Sequence, residues 1–189
     1  MFKLFVDTSY DRIHFILIKD KEVLKKELHE NITKTSDVFT EKLESFLKTC
    51  DIKTSDLGEL YITNGPGSFT GVRVAVTFAK TLKVINPSLV VKSISSLLFQ
   101  AGIGASISYI DARGGNTYFA VYNEGQAIIC DQVLDQVSAV AIANEFDDYL
   151  SYYDLHSFDF EKNFIDLIPF FKEIEDINTF EPNYIKKFG

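Results

Sequence analysis

The segment with the most chemical potential is Gly65-Pro66-Gly67-Ser68-Phe69-Thr70-Gly71, followed at once by Val72-Arg73. Its glycines fall as GxGxxxG, which is not the dinucleotide-binding GxGxxG, and no Lys follows to make a P-loop. A glycine-rich turn into a helix can gather backbone N–H groups around an anion. It can equally be a tight strand-to-helix turn whose glycines supply positive φ or close packing. Ser68 lacks the GxSxG register of a nucleophile, and no His pairs with it in the sequence. His14, His29 and His156 form no HxxxH or HExxH pair, so zinc-peptidase chemistry has no ligand set. Cys50 and Cys130 stand far apart without CxxC spacing, as small buried side chains do in a reducing compartment. No metal site is expected.

The elements that must position this segment can be read from periodicity. Residues 2–8 and 13–19 are short β-rich runs around Ser9-Tyr10-Asp11-Arg12, predicting a hairpin, with a third antiparallel strand over 22–28. Thr35 and Ser36 are N-cap candidates for a helix on which Phe39, Leu43, Phe46, Leu47 and Cys50 share one face. A strand over 57–63 breaks at the glycine motif, and Ser68 or Thr70 can cap the next helix, which stops before Asn86-Pro87. That helix is apolar nearly all round, so more than one face must be covered. An intramolecular sandwich and a helix-on-helix protein interface both satisfy it.

A strand over 89–92 and a helix over 95–100 follow, and Gly102-Ile103-Gly104 reads as a hinge. The opening pattern then recurs: a strand over 106–110 ends in Asp111 as the first ends in Asp7, with further strands over 116–122 and 126–131. An internal duplication is expected, with an α/β N-terminal lobe over 1–101 and a shortened lobe over 105–189. The second lobe is expected to hold one helix over about 138–152 and then short aromatic-rich pieces.

The chain has 189 residues, 46% hydrophobic and 24% charged, which is ordinary globular usage and excludes disorder. No apolar run approaches the ~20 residues of a membrane span, and the N-terminus enters a strand without a charged leader, so a cytoplasmic protein is expected. The net charge is −8. Residues 145–181 carry eleven acids against two lysines, and nowhere is there a basic face for phosphates. Tight unaided nucleic-acid binding is excluded; if RNA is involved, another molecule holds it.

Asp7-Thr8-Ser9 and Asp111-Ala112-Arg113-Gly114-Gly115 resemble the phosphate loops of actin-like ATPases, and an Asp that ends a strand and accepts turn N–H bonds is the plainer alternative. Taken with Tyr61 to Arg73, Ile110-Asp111-Ala112-Arg113, Tyr118 to Tyr122 and Glu181-Pro182-Asn183-Tyr184-Ile185-Lys186, they resemble the bacterial TsaB (YeaZ) family in order and separation.

That resemblance implies an actin-like (ASKHA, ribonuclease H-like) two-lobe fold with a reduced C-terminal lobe and no catalysis of its own. It implies a scaffold that activates TsaD, the subunit that transfers a threonylcarbamoyl group to N6 of a tRNA adenosine. TsaE, an ATPase, joins the pair, and tRNA is contacted only indirectly. Cofactors, ATP and metal, are then expected on the partners. The partner face, used also for self-association, is implied to be Phe39, Leu43, Phe46 and Leu47 with Phe69, Val72, Val76 and Ala79. The rival expectation is an autonomous actin-like ATPase or kinase using Asp7 and Asp111 on Mg²⁺.

Overall fold

In the computed structural model, which describes residues 1–185, Phe2–Asp7 (β1) and Ile13–Lys19 (β2) form the hairpin expected, with Asp7 opposite His14. Glu22–His29 (β3) pairs antiparallel with β2. Thr35–Lys48 (α1) then carries the chain to Leu57–Thr63 (β4), which runs parallel to β1. Phe69–Ile85 (α2) leads to Val90–Ile94 (β5), parallel to β4. A late segment, Lys172–Glu173 (β10), adds antiparallel to β5, giving the order β10-β5-β4-β1-β2-β3. Leu4, Phe5, Val6 and Ile13 to Ile18 are buried without alternation, as strands covered on both faces must be.

One face of this sheet packs on α1 and α2. Phe39, Leu43, Phe46 and Leu47, spaced i, i+4, i+7 and i+8, meet Phe15, Leu17, Val72, Val76 and Ala79 in a single apolar cluster. The cap of α1 differs from expectation. Lys34 occupies the N-cap position without a side-chain cap bond, Thr35 is buried as the first helical residue, and the Ser36 hydroxyl donates to Asp37 Oδ1 at 3.0 Å. Core packing of Thr35 has outweighed its use as a cap.

The second sheet repeats the opening topology. Ser106–Arg113 (β6), Asn116–Asn123 (β7) and Gln126–Asp135 (β8) run antiparallel, Gln136–Ala143 (α4) follows, and Leu150–Tyr153 (β9) pairs parallel with β6. The order β8-β7-β6-β9 is thus the counterpart of β3-β2-β1-β4. Ser96–Ala101 (α3) and Phe160–Leu167 (α5) belong to this unit.

The helix expected over 138–152 ends at Ala143, β9 takes the place of its expected last turn, and the expected irregular tail holds α5. The fully buried Gln100 shows why residues 150–153 become a strand. Its Nε2 donates to Ser108 Oγ at 2.7 Å, Tyr109 O at 3.0 Å and Tyr152 O at 3.1 Å, and its Oε1 accepts from Leu155 N.

Two compact units result. The first comprises Met1–Asn64, Ser68–Ile94 and Phe171–Pro182; the second comprises Gly65–Gly67, Ser95–Phe170 and 183–185. The division expected at 1–101 and 105–189 does not follow these units, because α3 belongs to the second and Phe171–Pro182 to the first. Gly102, at φ +71°, closes α3 within the second unit and is not a boundary.

Candidate functional site

Asp7 ends β1 with its carboxylate fully buried. Its Oδ1 accepts from Ser9 N at 3.1 Å, Ser9 Oγ at 2.5 Å and Thr63 Oγ1 at 2.5 Å. Thr63 comes from the end of β4, the parallel neighbour, so the carboxylate joins two strand ends. The glycine motif closes over this turn. Ser68 N donates to Ser9 O at 2.7 Å and the Thr8 hydroxyl donates to Gly71 O at 2.8 Å. A methyl group on Gly71 would lie 1.9 Å from the Thr8 carbonyl oxygen. Gly71 is therefore needed for close approach of two backbones.

This geometry decides what Asp7 can do. Asp7, Thr8, Ser9 and Thr63 are all fully buried, and the Asp7 Oδ2, without a hydrogen-bond partner among the described residues, is buried too. A Mg²⁺–nucleotide needs carboxylate and backbone groups it can reach with its own water shell. At this turn the Asp7 carboxylate is out of reach of solvent. Among the described residues, no group of three or more His, Cys, Asp and Glu is placed to hold a metal ion.

Ser68 is the N-cap of α2, its hydroxyl accepting from Gly71 N at 3.4 Å. The motif thus ends in a capped helix whose first residue, Phe69, is 47% exposed and carries the Arg73 guanidinium 5.1 Å from its ring centre. Beyond it, an open groove of about 520 Å³ lies between α1 and α2. Its lining includes Phe39 and Thr40 from α1 and Phe69, Arg73, Val74 and Phe78 from α2, with Thr77 and Thr81 along the same side. Phe39 and Phe78 meet edge to face at 5.3 Å and form its floor.

Of the eight residues expected on the partner face, Phe39, Leu43, Phe46, Leu47, Val72, Val76 and Ala79 are buried in the first unit's own core, and Phe69 alone is exposed. The sandwich of α1, α2 and sheet accounts for the most apolar positions. The accessible strip of α2 is Phe69, Arg73, Thr77, Thr81 and Val84, at intervals of three or four. Sequence reasoning did not assign Thr40, Val74, Thr77 and Phe78 to the partner face. The signal was present in the polar interruptions of the helix, which mark its free side.

In the second unit, Asp111 lies on an exposed hairpin. Its Oδ1 accepts from Arg113 N at 2.7 Å, and its own N–H donates to Asp154 Oδ1 at 2.7 Å. Arg113, Gly114 and Gly115 all have positive φ, so the hairpin is a tight, open turn. Tyr118 to Tyr122 form the buried centre of β7. The Tyr122 hydroxyl and the Ser95 hydroxyl both donate to Asp131, and burial, followed by the Asp131 charge, pushes the phenol of Tyr122 up. In the closing motif, Glu181 pairs with Lys80 of α2 at 2.7 Å, whereas Lys186 lies outside the described residues.

A family model described as TsaD, tRNA N6-adenosine threonylcarbamoyltransferase, matches residues 29–162. The uncharacterized protein MG208 of Mycoplasma genitalium is 29% identical over 191 residues, covering 98% of this chain and 95% of its own. The tRNA threonylcarbamoyladenosine biosynthesis protein TsaB of Bacillus subtilis is 30% identical over 138 residues, 70% of this chain and 60% of that protein. The crystal structure of YeaZ from Pseudomonas aeruginosa superposes with a TM-score of 0.72 at 17% identity, covering 97% of this chain and 99% of that one. Its fold is shared.

Proposed function

The chain belongs to the TsaB (YeaZ) family, and from that premise we propose that it is a non-catalytic subunit of the tRNA N6-threonylcarbamoyladenosine modification complex. Its relatives' names support a part in that biosynthesis. In this reading it docks on a TsaD-like catalytic subunit, holds that enzyme in its active arrangement, and helps to bring in a TsaE-like ATPase. ATP, metal and tRNA are bound by the partners, and the work is done in the cytoplasm, where the tRNA is.

The observation that carries the reading is the groove between α1 and α2. It presents Phe69, Val74 and Phe78 beside threonine hydroxyls and one arginine, a mixed surface suited to another helix pair. Without a partner, Phe69 is left half in water. The same face suits self-association of two copies in the absence of TsaD. The buried Asp7 turn argues in the same direction, because an autonomous ATPase or kinase would need that carboxylate within reach of a metal. No helix among the described residues is long and apolar enough to cross a membrane.

The test is reconstitution. Cognate TsaD, TsaE, the adenylate-forming enzyme, ATP and unmodified tRNA are combined with and without this chain, and threonylcarbamoyladenosine is measured. Product that depends on the chain is expected. Equal product without it would overturn the reading.

A further inference from the structure

Helix α4, Gln136–Ala143, has the sequence QVSAVAIA, with polar side chains only at Gln136 and Ser138. A helix so uniformly apolar calls for cover on several sides. It has cover on one. Ala139 is buried, and Ile142 and Ala143 pack half-buried against the cluster of Ile107, Tyr109, Phe119 and Val121. Val137 is 80% exposed and Val140 57%, and Ala141 beside them is exposed too. At i, i+3 and i+4 these three share one face. Tyr153, also exposed, stacks on Tyr109 of the same cluster, with centroids 4.6 Å apart.

The charges that flank this face in sequence indicate what would cover it. Residues 114–161 contain nine Asp and Glu and no Lys or Arg. Two ends of the helix are acidic in sequence: Asp135 is its N-cap, accepting from Ser138 N at 2.9 Å, and Glu145, Asp147 and Asp148 follow its last turn. A second copy of this chain would bring the same acids against their equals. Nucleic acids and anionic lipid surfaces would be repelled in the same way. A surface that combines apolar contact with positive charge would be attracted on both counts.

We propose that the Val137–Val140–Ala141 face of α4 docks a partner protein whose contact surface is an apolar patch framed by lysine and arginine side chains. This face belongs to the second unit and is separate from the groove of α1 and α2, which belongs to the first. The inference stands whether or not the scaffold reading does.

The test uses the full chain and a fluorescein-labelled amphipathic peptide of about fifteen residues, with leucines along one side and lysines along the other. Anisotropy is expected to show saturable binding that weakens at least fivefold when Val137→Ser and Val140→Ser are combined. Serine has a helix propensity close to that of valine, so α4 is retained, and an unchanged urea midpoint checks this. A variant with Glu145→Gln, Asp147→Asn and Asp148→Asn is expected to weaken binding independently, with a shallower salt dependence. Hydrogen exchange should slow at 136–143 when the peptide is added. Equal competition by an oligolysine of the same charge would overturn the proposal, as would unchanged binding by the serine variant. Protection confined to α1 and α2 would overturn it too. A dimer of the chain alone that the serine substitutions abolish would identify a second copy as the occupant and would also overturn it.

Discussion

His14 sits on β2 opposite Asp7 and is 5% exposed. Burial first, and then the charges of Arg12 and Lys26, lower its pKa from 6.5 to about 4. The folded chain therefore holds a neutral imidazole where the unfolded chain binds a proton below pH 6.5. The contribution to stability is whole above that pH and is lost as pH falls toward 4. By linkage the loss approaches roughly 3 kcal/mol. Urea denaturation at pH 7 and pH 4.5, on this chain and on His14→Gln, isolates the term, since the carboxylates titrate in both. The stability difference between them should shift by about 2 kcal/mol toward the variant at the lower pH. An unchanged difference would mean that the imidazole is already charged in the fold. Residue type and spacing marked Asp7 and Gly71 but could not show that they touch one turn. The Thr63–Asp7 bond spans 56 positions, and its donor is an ordinary strand threonine.

At the scale of elements, the apolar period of α1 and α2 located the buried face and left the free face to be found by subtraction. Both helices were legible because their apolar residues repeat at helical spacing over 14 and 17 residues. Residues 150–153 were not, since their pairing with β6 depends on Gln100 and on a strand more than forty positions earlier. Subtraction yields a paired prediction. Val76→Asp puts a carboxylate into the core between α1, α2 and the sheet, at a cost of several kcal/mol, and should unfold the first unit. Thr77→Asp, one residue on, is exposed and should leave the unfolding free energy from urea denaturation within ~0.5 kcal/mol of the parent. On the proposed reading, the same Thr77→Asp should lower affinity for a TsaD-like subunit at least tenfold in a titration, because the charge would be buried in that contact. If Thr77→Asp binds TsaD normally, the groove is not the contact.

Across the whole chain, neighbours in sequence are not always neighbours in a compact unit. The chain leaves the first unit at Ile94 and returns at Phe171. Gly102-Ile103-Gly104 looks like the divide in sequence because glycines punctuate domains as well as helices. In the fold Gly102 is buried, and a Cβ there would lie 2.9 Å from Asn163 Oδ1. The returning segment supplies core as well as an edge strand. Phe171 meets Phe5 and Tyr61 edge to face at 6.2 Å and 5.0 Å, and Ile174, Ile177 and Phe180 pack on the cluster beneath α1 and α2. Phe180→Ala would remove a buried ring more than ninety residues beyond the helices it supports, at a cost of about 3 kcal/mol. Amide exchange can assign that cost to a unit. The slowest amides of β1 and β4 should lose close to all of it, while those of β7 keep their protection if the second unit opens on its own. Equal losses in β4 and β7 would mean that the two units unfold as one cooperative body. No loss in either would mean that residues 171–182 cover the first unit without contributing to its core.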